Sequence, residues 1–302
     1  MGRQPLEMTT PNTSLQKHET LRNGLLRIVD TLIDSVTTNH GALSQNGAED
    51  IHQVRTTIKR LRALLRLIRP AIDPAFFNRE NTRLRTAAGL LSFARDTEVA
   101  RGTLKKLPVA DETNQEAVGS VLSGLETRAE AATDFQDNMA EVNRRLKKTR
   151  LNFHRLKLPG SDREILEAGL RAVYRQGRRR MKAAIEQGQD NAFHRWRIRA
   201  KNLYYELQFL ESAGPKRLQR VVSRLSDLED QIGQDHDVAV LRAWLKKQPE
   251  TFGGDETVHR VVACLDGQTR QLRQKVIPLG RKIWRQKPRR FAQKIVRHWS
   301  KR

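Results

Sequence analysis

The sequence predicts an all-α protein, and three observations carry that prediction. Apolar residues recur at helical spacing through most of the 302 residues. Strand signals, meaning alternating β-branched runs and Asn-Gly hairpins between apolar segments, are nearly absent. One helical pattern occurs twice: His52-Gln53-Val54-Arg55-Thr56-Thr57-Ile58-Lys59-Arg60-Leu61-Arg62 returns 142 residues later as His194-Arg195-Trp196-Arg197-Ile198-Arg199-Ala200-Lys201-Asn202-Leu203-Tyr204. Antiparallel helices joined by short loops pack as bundles, so two copies of one motif predict two bundles facing each other.

In chain order, residues 1–16 are rich in Pro, Asn, Thr and Ser and read as a mobile tail. Leu21, Leu25, Ile28, Leu32 and Val36 predict a helix over about 18–38, followed by a Gly/Asn-rich connection and the His52 helix, which Pro70 stops. A helix over about 74–92 leads through Arg95-Asp96-Thr97-Glu98-Val99 into a segment ending near Leu107. Residues 112–157 are helix-rich, and Pro159-Gly160 marks the boundary between a first repeat of about 17–158 and a second of about 161–302. The second repeat opens on a helix over about 163–187, carries the His194 helix, and places Gly233-Gln234-Asp235-His236-Asp237-Val238-Ala239 where the first has Arg95–Val99. Asp96, Glu98, Asp235 and Asp237 are expected to cap helix N-termini or to pair with the basic residues.

The repeated helix predicts a binding face. In the first copy Ile51, Val54, Ile58, Leu61, Leu65 and Ile68 form the buried stripe, matched by Phe193, Trp196, Ala200, Leu203, Leu207 and Leu210 in the second. One residue later, about 100° around the helix, runs a polar stripe: His52, Arg55, Lys59, Arg62 and Arg66, matched by His194, Arg197, Lys201, Tyr204 and Gln208. A solvated face has no need of His, Arg and Lys at the same offsets twice, beside the core at the same angle. From His52 to Arg66 the stripe spans about 21 Å at 1.5 Å per residue, which suits an extended anion. Arg175, Arg178 and Arg179 form a further basic face, while the ten Lys and Arg from Arg281 to Arg302 read as a solvated end of generic anion affinity.

Composition agrees. Lys and Arg number 57 against 34 Asp and Glu, a net charge of +23, which a polyanionic partner would relieve. With Cys264 as the single cysteine, neither an internal disulfide nor a Cys-based zinc site can form, which fits a reducing cytoplasm. No stretch approaches the ~18 apolar residues of a membrane span, so a soluble protein without membrane contact is expected.

The pattern His-x-x-Arg-x-x-x-Lys-Arg-Leu-Arg at 52–62, its partner His-x-x-Arg-x-x-x-Lys-x-Leu-x-Tyr at 194–205, and the Arg-Asp-x-Glu-Val and His-Asp-Val elements resemble the CHAD family, the conserved histidine α-helical domain. The resemblance covers roughly residues 17–300. It implies two four-helix bundles related by a pseudo-twofold axis, with basic residues of both halves around a central groove or pore, and binding of inorganic polyphosphate, in some members at polyphosphate granules. The contacts so implied are His52, Arg55, Lys59 and Arg62 with His194, Arg197 and Lys201. This chain departs from the first copy at Asn202, opposite Arg60, and at Tyr204, opposite Arg62. Arg175, Arg178 and Arg179 are therefore expected to supply charge in the second half.

These residue types suit a chain of phosphates. Arg offers a planar fork to two oxygens, Lys a mobile point charge, and His a donor that gains a second charge on protonation. The expected activity is non-catalytic binding, with no cofactor and no metal. The rival readings are a nucleic-acid binder held non-specifically by charge, and a metal phosphohydrolase using His194, His236 and Asp237. The first lacks obvious stacking aromatics beside the basic stripe, at 5% aromatic overall. The second rests on one His-Asp dipeptide with no counterpart at Thr97-Glu98.

Overall fold

The computed structural model describes residues 13–37, 47–91, 93–109, 111–129 and 135–297, with backbone only at 47–49, 93–96, 127–129 and 135–137. The described residues form eleven α-helices and no strand, so the chain is all-α as expected. In order they are α1 (Leu21–Thr37), α2 (Gly47–Leu67), α3 (Pro74–Gly89), α4 (Phe93–Lys105), α5 (Glu112–Ala129), α6 (Phe135–His154), α7 (Asp162–Gln187), α8 (Asp190–Phe209), α9 (Arg217–Lys247), α10 (Gly254–Ile283) and α11 (Pro288–Val296). Helix α2 ends in a 3₁₀ turn, Arg69–Ala71, at Pro70. Asp73 caps α3 by accepting from the Phe76 N–H at 3.1 Å. Ser161 caps α7, and Gly188, at φ 65°, closes it two residues before α8 begins.

The expected tail packs in part. Residues 1–12 lie outside the described residues, but Leu15 is fully buried and its N–H donates to the Phe209 carbonyl at 2.6 Å. The second half also caps the first, since Asp162 of α7 accepts from the Leu21 N–H at the start of α1 at 2.8 Å. One core draws apolar side chains from both sides of the Pro159-Gly160 boundary: α1, α2, α3, α6, α7, α8, α11, the first half of α9 and the last part of α10. A second core joins α4 and α5 to the other ends of α9 and α10, through Leu104, Val121 and Leu125 against Leu241, Leu245 and Val261.

One element differs from the sequence expectation. Gly233–Ala239 is no connection: α9 runs unbroken through it for 31 residues. A lone helical glycine costs about 1 kcal/mol, and Ile232, Val238 and Leu241, all fully buried around it, offset that several times over. Asp235 and Asp237 are therefore mid-helix and cap nothing. Two close approaches depend on glycine. A Cβ at Gly280 of α10 would collide with the Trp196 ring, and one at Gly169 of α7 with the Leu67 carbonyl at the end of α2.

Candidate functional site

Helix α8 packs against α2 and α9, and the three leave a cavity of about 940 Å³. From α2 it receives His52, Arg55, Lys59 and Arg60, and from α8 Arg197, Lys201, Tyr204, Tyr205 and Gln208. Helix α9 contributes Glu229, Asp230, Gln234, His236 and Asp237. The polar stripes of the two motif copies thus share one cavity. They do so because each stripe lies a quarter-turn from its own buried stripe: Val54, Ile58 and Leu61 on α2, and Trp196, Ala200 and Leu203 on α8, are all fully buried.

The basic groups are anchored. Arg55 donates from Nη1 to the Leu91 carbonyl at 2.8 Å and to the Ala88 carbonyl at 3.3 Å, near the C-terminal end of α3. Arg60 donates to Thr13 Oγ1 at 2.7 Å. Lys201 forms an ion pair with Glu229 of α9, both largely buried. His194 stands behind the wall, its Nδ1 3.1 Å from Nδ1 of His236, with the two rings 4.4 Å apart. Burial, followed by Arg197, His194 and Lys201, pushes His236 down to about 4. Burial, then Arg197 and Arg195, pushes His194 down as well.

Next to His236, the buried Asp235 accepts from Arg273 of α10 at 2.8 Å. Arg273 and Arg242 both donate to Asp190 in the first turn of α8, at 2.5 Å each. Burial raises the Asp235 carboxyl despite Arg273. Of the acids expected to cap or to pair with basic residues, Asp235 pairs with Arg273 and ties α9 to α10, while Asp190, which carried no such expectation, ties α8 to both.

A family model for the CHAD domain matches residues 27–246. The chain belongs to the CHAD-domain family. The crystal structure of the CHAD domain from the plant Ricinus communis has the same fold, with a TM-score of 0.64 at 19% identity over 90% of this chain and 94% of that one. No curated protein matches the sequence.

Within this CHAD domain the predicted residues divide into three groups. His52, Arg55, Lys59, Arg197 and Lys201 line the cavity, with His194 hydrogen-bonded to its wall. Arg62 and Arg66 do not reach it, because α8 packs across α2 and interrupts the stripe. Arg175, Arg178 and Arg179 do not reach it either. They are exposed on α7, in a separate groove of about 640 Å³ with Met181, Ile185, Arg281 and Pro288. The face of α7 that packs carries Val173, Tyr174 and Gly177, and Arg175, Arg178 and Arg179 fall beside these positions on the exposed side. They do not replace the charge missing at Tyr204, which faces the cavity with Tyr205 as a tilted pair 5.4 Å apart.

Tyr204 and Gln208 were visible in the sequence as stripe positions. Glu229 and Asp230 carried no motif signal, because they face the cavity only through the unbroken course of α9. The side chains of Arg95 and Asp96, and residues Lys301 and Arg302, lie outside what the structure describes. Among the described residues no three His, Cys, Asp or Glu side chains gather as a metal site, and no helix is long and apolar enough to cross a membrane.

Proposed function

We propose that this CHAD-domain protein binds inorganic polyphosphate, without turning it over, in the cavity between α2, α8 and α9. The observation that carries the reading is the meeting of His52, Arg55 and Lys59 with Arg197 and Lys201 in one space, two copies of one stripe from helices of opposite halves. Arg and Lys from two sides can follow a chain of phosphates in any register, since the ligand offers charge and oxygen atoms but no bases. Association with polyphosphate granules in the cytoplasm follows from the same reading.

The test is titration of the purified protein with long-chain polyphosphate and with single-stranded DNA of equal charge, at low and high salt. Polyphosphate is expected to bind more tightly, with affinity falling steeply as salt rises. Equal affinities, or no salt dependence, overturn the reading. Lys59→Ala with Lys201→Ala should weaken binding far more than Arg289→Ala with Arg290→Ala near the C-terminus.

One observation favours a second reading, single-stranded nucleic acid: Tyr204 and Tyr205 border the cavity where bases could stack. DNA outcompeting polyphosphate would select it. Polyphosphate incubated with a divalent metal should keep its length, and shortening abolished by His236→Ala would turn the site into a hydrolase.

A further inference from the structure

Helix α6 exposes a leucine among cations. Its buried stripe is Val142, Leu146, Thr149 and Phe153, and Arg144, Lys148, Leu151 and Arg155 repeat that spacing two residues later, about 200° around the helix, on the side away from the core. Leu151 is 53% exposed, the more open of the two large apolar side chains left at the surface among the described residues. A lone exposed leucine is ordinary, but this one lies in a groove. With Arg83 of α3 and with Arg144, Arg145, Lys147 and Lys148, it lines a hollow of about 440 Å³. Its neighbour Asn152 borders a second hollow of about 710 Å³, lined by the apolar Ile72, Phe76, Leu156 and Pro159. Arg79, Arg155 and Lys157 rim this second hollow, with the Arg79 guanidinium over the Phe76 ring at 5.8 Å. Asp73 borders it too, but its carboxylate caps α3 by accepting from the Phe76 N–H. Arg79 and Arg83 are one turn apart on α3, and so are Leu151 and Arg155 at the end of α6, so the two hollows form one trough. From Arg144 to Arg155 it runs about 16 Å.

Both walls are latched. The buried Glu80 of α3 accepts from Asn152 Nδ2 at 2.7 Å and from Thr149 Oγ1 at 3.2 Å, and it pairs with Arg83. On its other flank α6 is tied to α1: Arg150 pairs with Asp34 and donates to the Asp30 carbonyl at 3.1 Å, and His154 Nε2 lies 3.0 Å from the Asp30 carboxylate. Held from both sides, α6 cannot turn Leu151 inward. Arg144 and Arg145 share Glu141, while among the described residues Lys147, Lys148, Arg155 and Lys157 pair with no carboxylate. None of the residues lining the trough lines the cavity between α2, α8 and α9.

We propose that the trough between α3 and α6 docks an acidic peptide segment of a partner protein, one that sets an apolar side chain against Leu151 and Phe76. Charge complementarity requires the acidic residues, and the exposed leucine beside an apolar wall requires the amphipathic character. The length fits a short segment, since about 16 Å takes about three turns of helix or about five extended residues. Latched walls spare the complex the cost of ordering them. Other occupants fit less well. A phosphate polymer has no use for the apolar wall, a flat bilayer cannot enter a concave trough, and a second copy of this chain brings a net charge of +23 against it.

Fluorescence anisotropy of the full chain tests it, with a labelled peptide of about twelve Glu, Asp and Leu residues, its leucines one turn apart, against the same peptide with serine for leucine. The leucine peptide should bind at least about tenfold more tightly. Leu151→Ser should abolish that preference and leave the affinity for long-chain polyphosphate unchanged. Lys148→Glu with Arg155→Glu should weaken both peptides at least about tenfold. All three side chains are exposed, so these variants keep the fold. Equal affinity of the two peptides overturns the proposal. A leucine peptide lost with Lys59→Ala and Lys201→Ala but insensitive to Lys148→Glu with Arg155→Glu overturns it as well, by placing the peptide in the cavity. Loss of polyphosphate binding in Leu151→Ser would make the trough part of the anion site and overturn it. Recruitment to phosphatidylserine vesicles that Leu151→Ser abolishes, with no peptide bound, would give the surface to a bilayer instead.

Discussion

The His194 and His236 Nδ1 atoms lie 3.1 Å apart, and a hydrogen bond between two imidazoles requires one to donate and the other to accept. At most one of the pair can be an imidazolium while that bond persists. Burial and then Arg197 lower both rings, Arg195 adds to the effect on His194, and Lys201 to that on His236; Asp237 shares the cavity wall. His194 and His236 therefore stand neutral beside fixed positive charges, and the sign of this arrangement decides the response to pH.

An anion entering the cavity favours the protonated imidazole, so binding takes up protons and tightens as pH falls. Between about pH 8 and about pH 5 the affinity for polyphosphate should rise roughly tenfold for each histidine that becomes charged. Calorimetry in buffers of different ionisation enthalpy measures the proton uptake directly. His194→Gln with His236→Gln should flatten the profile, and an equally steep profile in that variant would place the titrating groups elsewhere.

Without ligand the same pair works against the fold. Above pH 6.5 His236 is neutral in both folded and unfolded chains and contributes nothing. Between 6.5 and about 4 the unfolded chain is protonated and the folded one is not, so stability falls with pH through that window. Glu206 and Asp235 are raised and push the other way, but they are common to wild type and variant. Relative to His236→Gln, the wild type should therefore lose melting temperature between about pH 7 and about pH 5. A constant difference between the two would contradict the buried, neutral His236.

Lys201 is held by Glu229 across the cavity. Removing Lys201 leaves a largely buried carboxylate facing the anion, whereas removing Glu229 releases a cation to it. Lys201→Ala should therefore cost more affinity than Lys59→Ala, and Glu229→Gln should tighten polyphosphate binding by roughly tenfold. Weaker binding by Glu229→Gln would mean that Glu229 acts by keeping Lys201 in position.

The repeat made α2 and α8 legible, because an apolar stripe and a polar stripe at fixed angles constrain both what is buried and what lies beside it. Seven of the polar-stripe residues share the cavity, and His194 hydrogen-bonds to its wall. Helix crossing was not legible. A stripe on one helix is continuous in sequence, but α8 lies across α2 and sends Lys59 and Arg62 to opposite sides, although they are one turn apart. Arg175, Arg178 and Arg179 misled for a related reason: basic spacing marks a face but not what the face meets, and here it meets Arg281 and Pro288. Asp235 looked like a cap because Asp is favoured at helix N-termini, yet Ile232, Val238 and Leu241 carry α9 straight through it.

Helix α8 also meets α10, and that contact depends on a missing side chain. Gly280 lies against the Trp196 ring, with Met181 Sδ 3.0 Å from where a Cβ would stand. Trp196 cannot yield readily, because it is fully buried and its ring meets that of Trp284 edge-on at 5.9 Å. Overpacking of this kind costs about 1–3 kcal/mol, against a gain of about 1 kcal/mol from replacing a helical glycine. Gly280→Ala should therefore lower the melting temperature by a few degrees. Gly119→Ala, on an exposed position of α5 with nothing near its Cβ, should raise it. Thermal melts of the two variants separate the steric term from helix propensity, since propensity alone would move both upward.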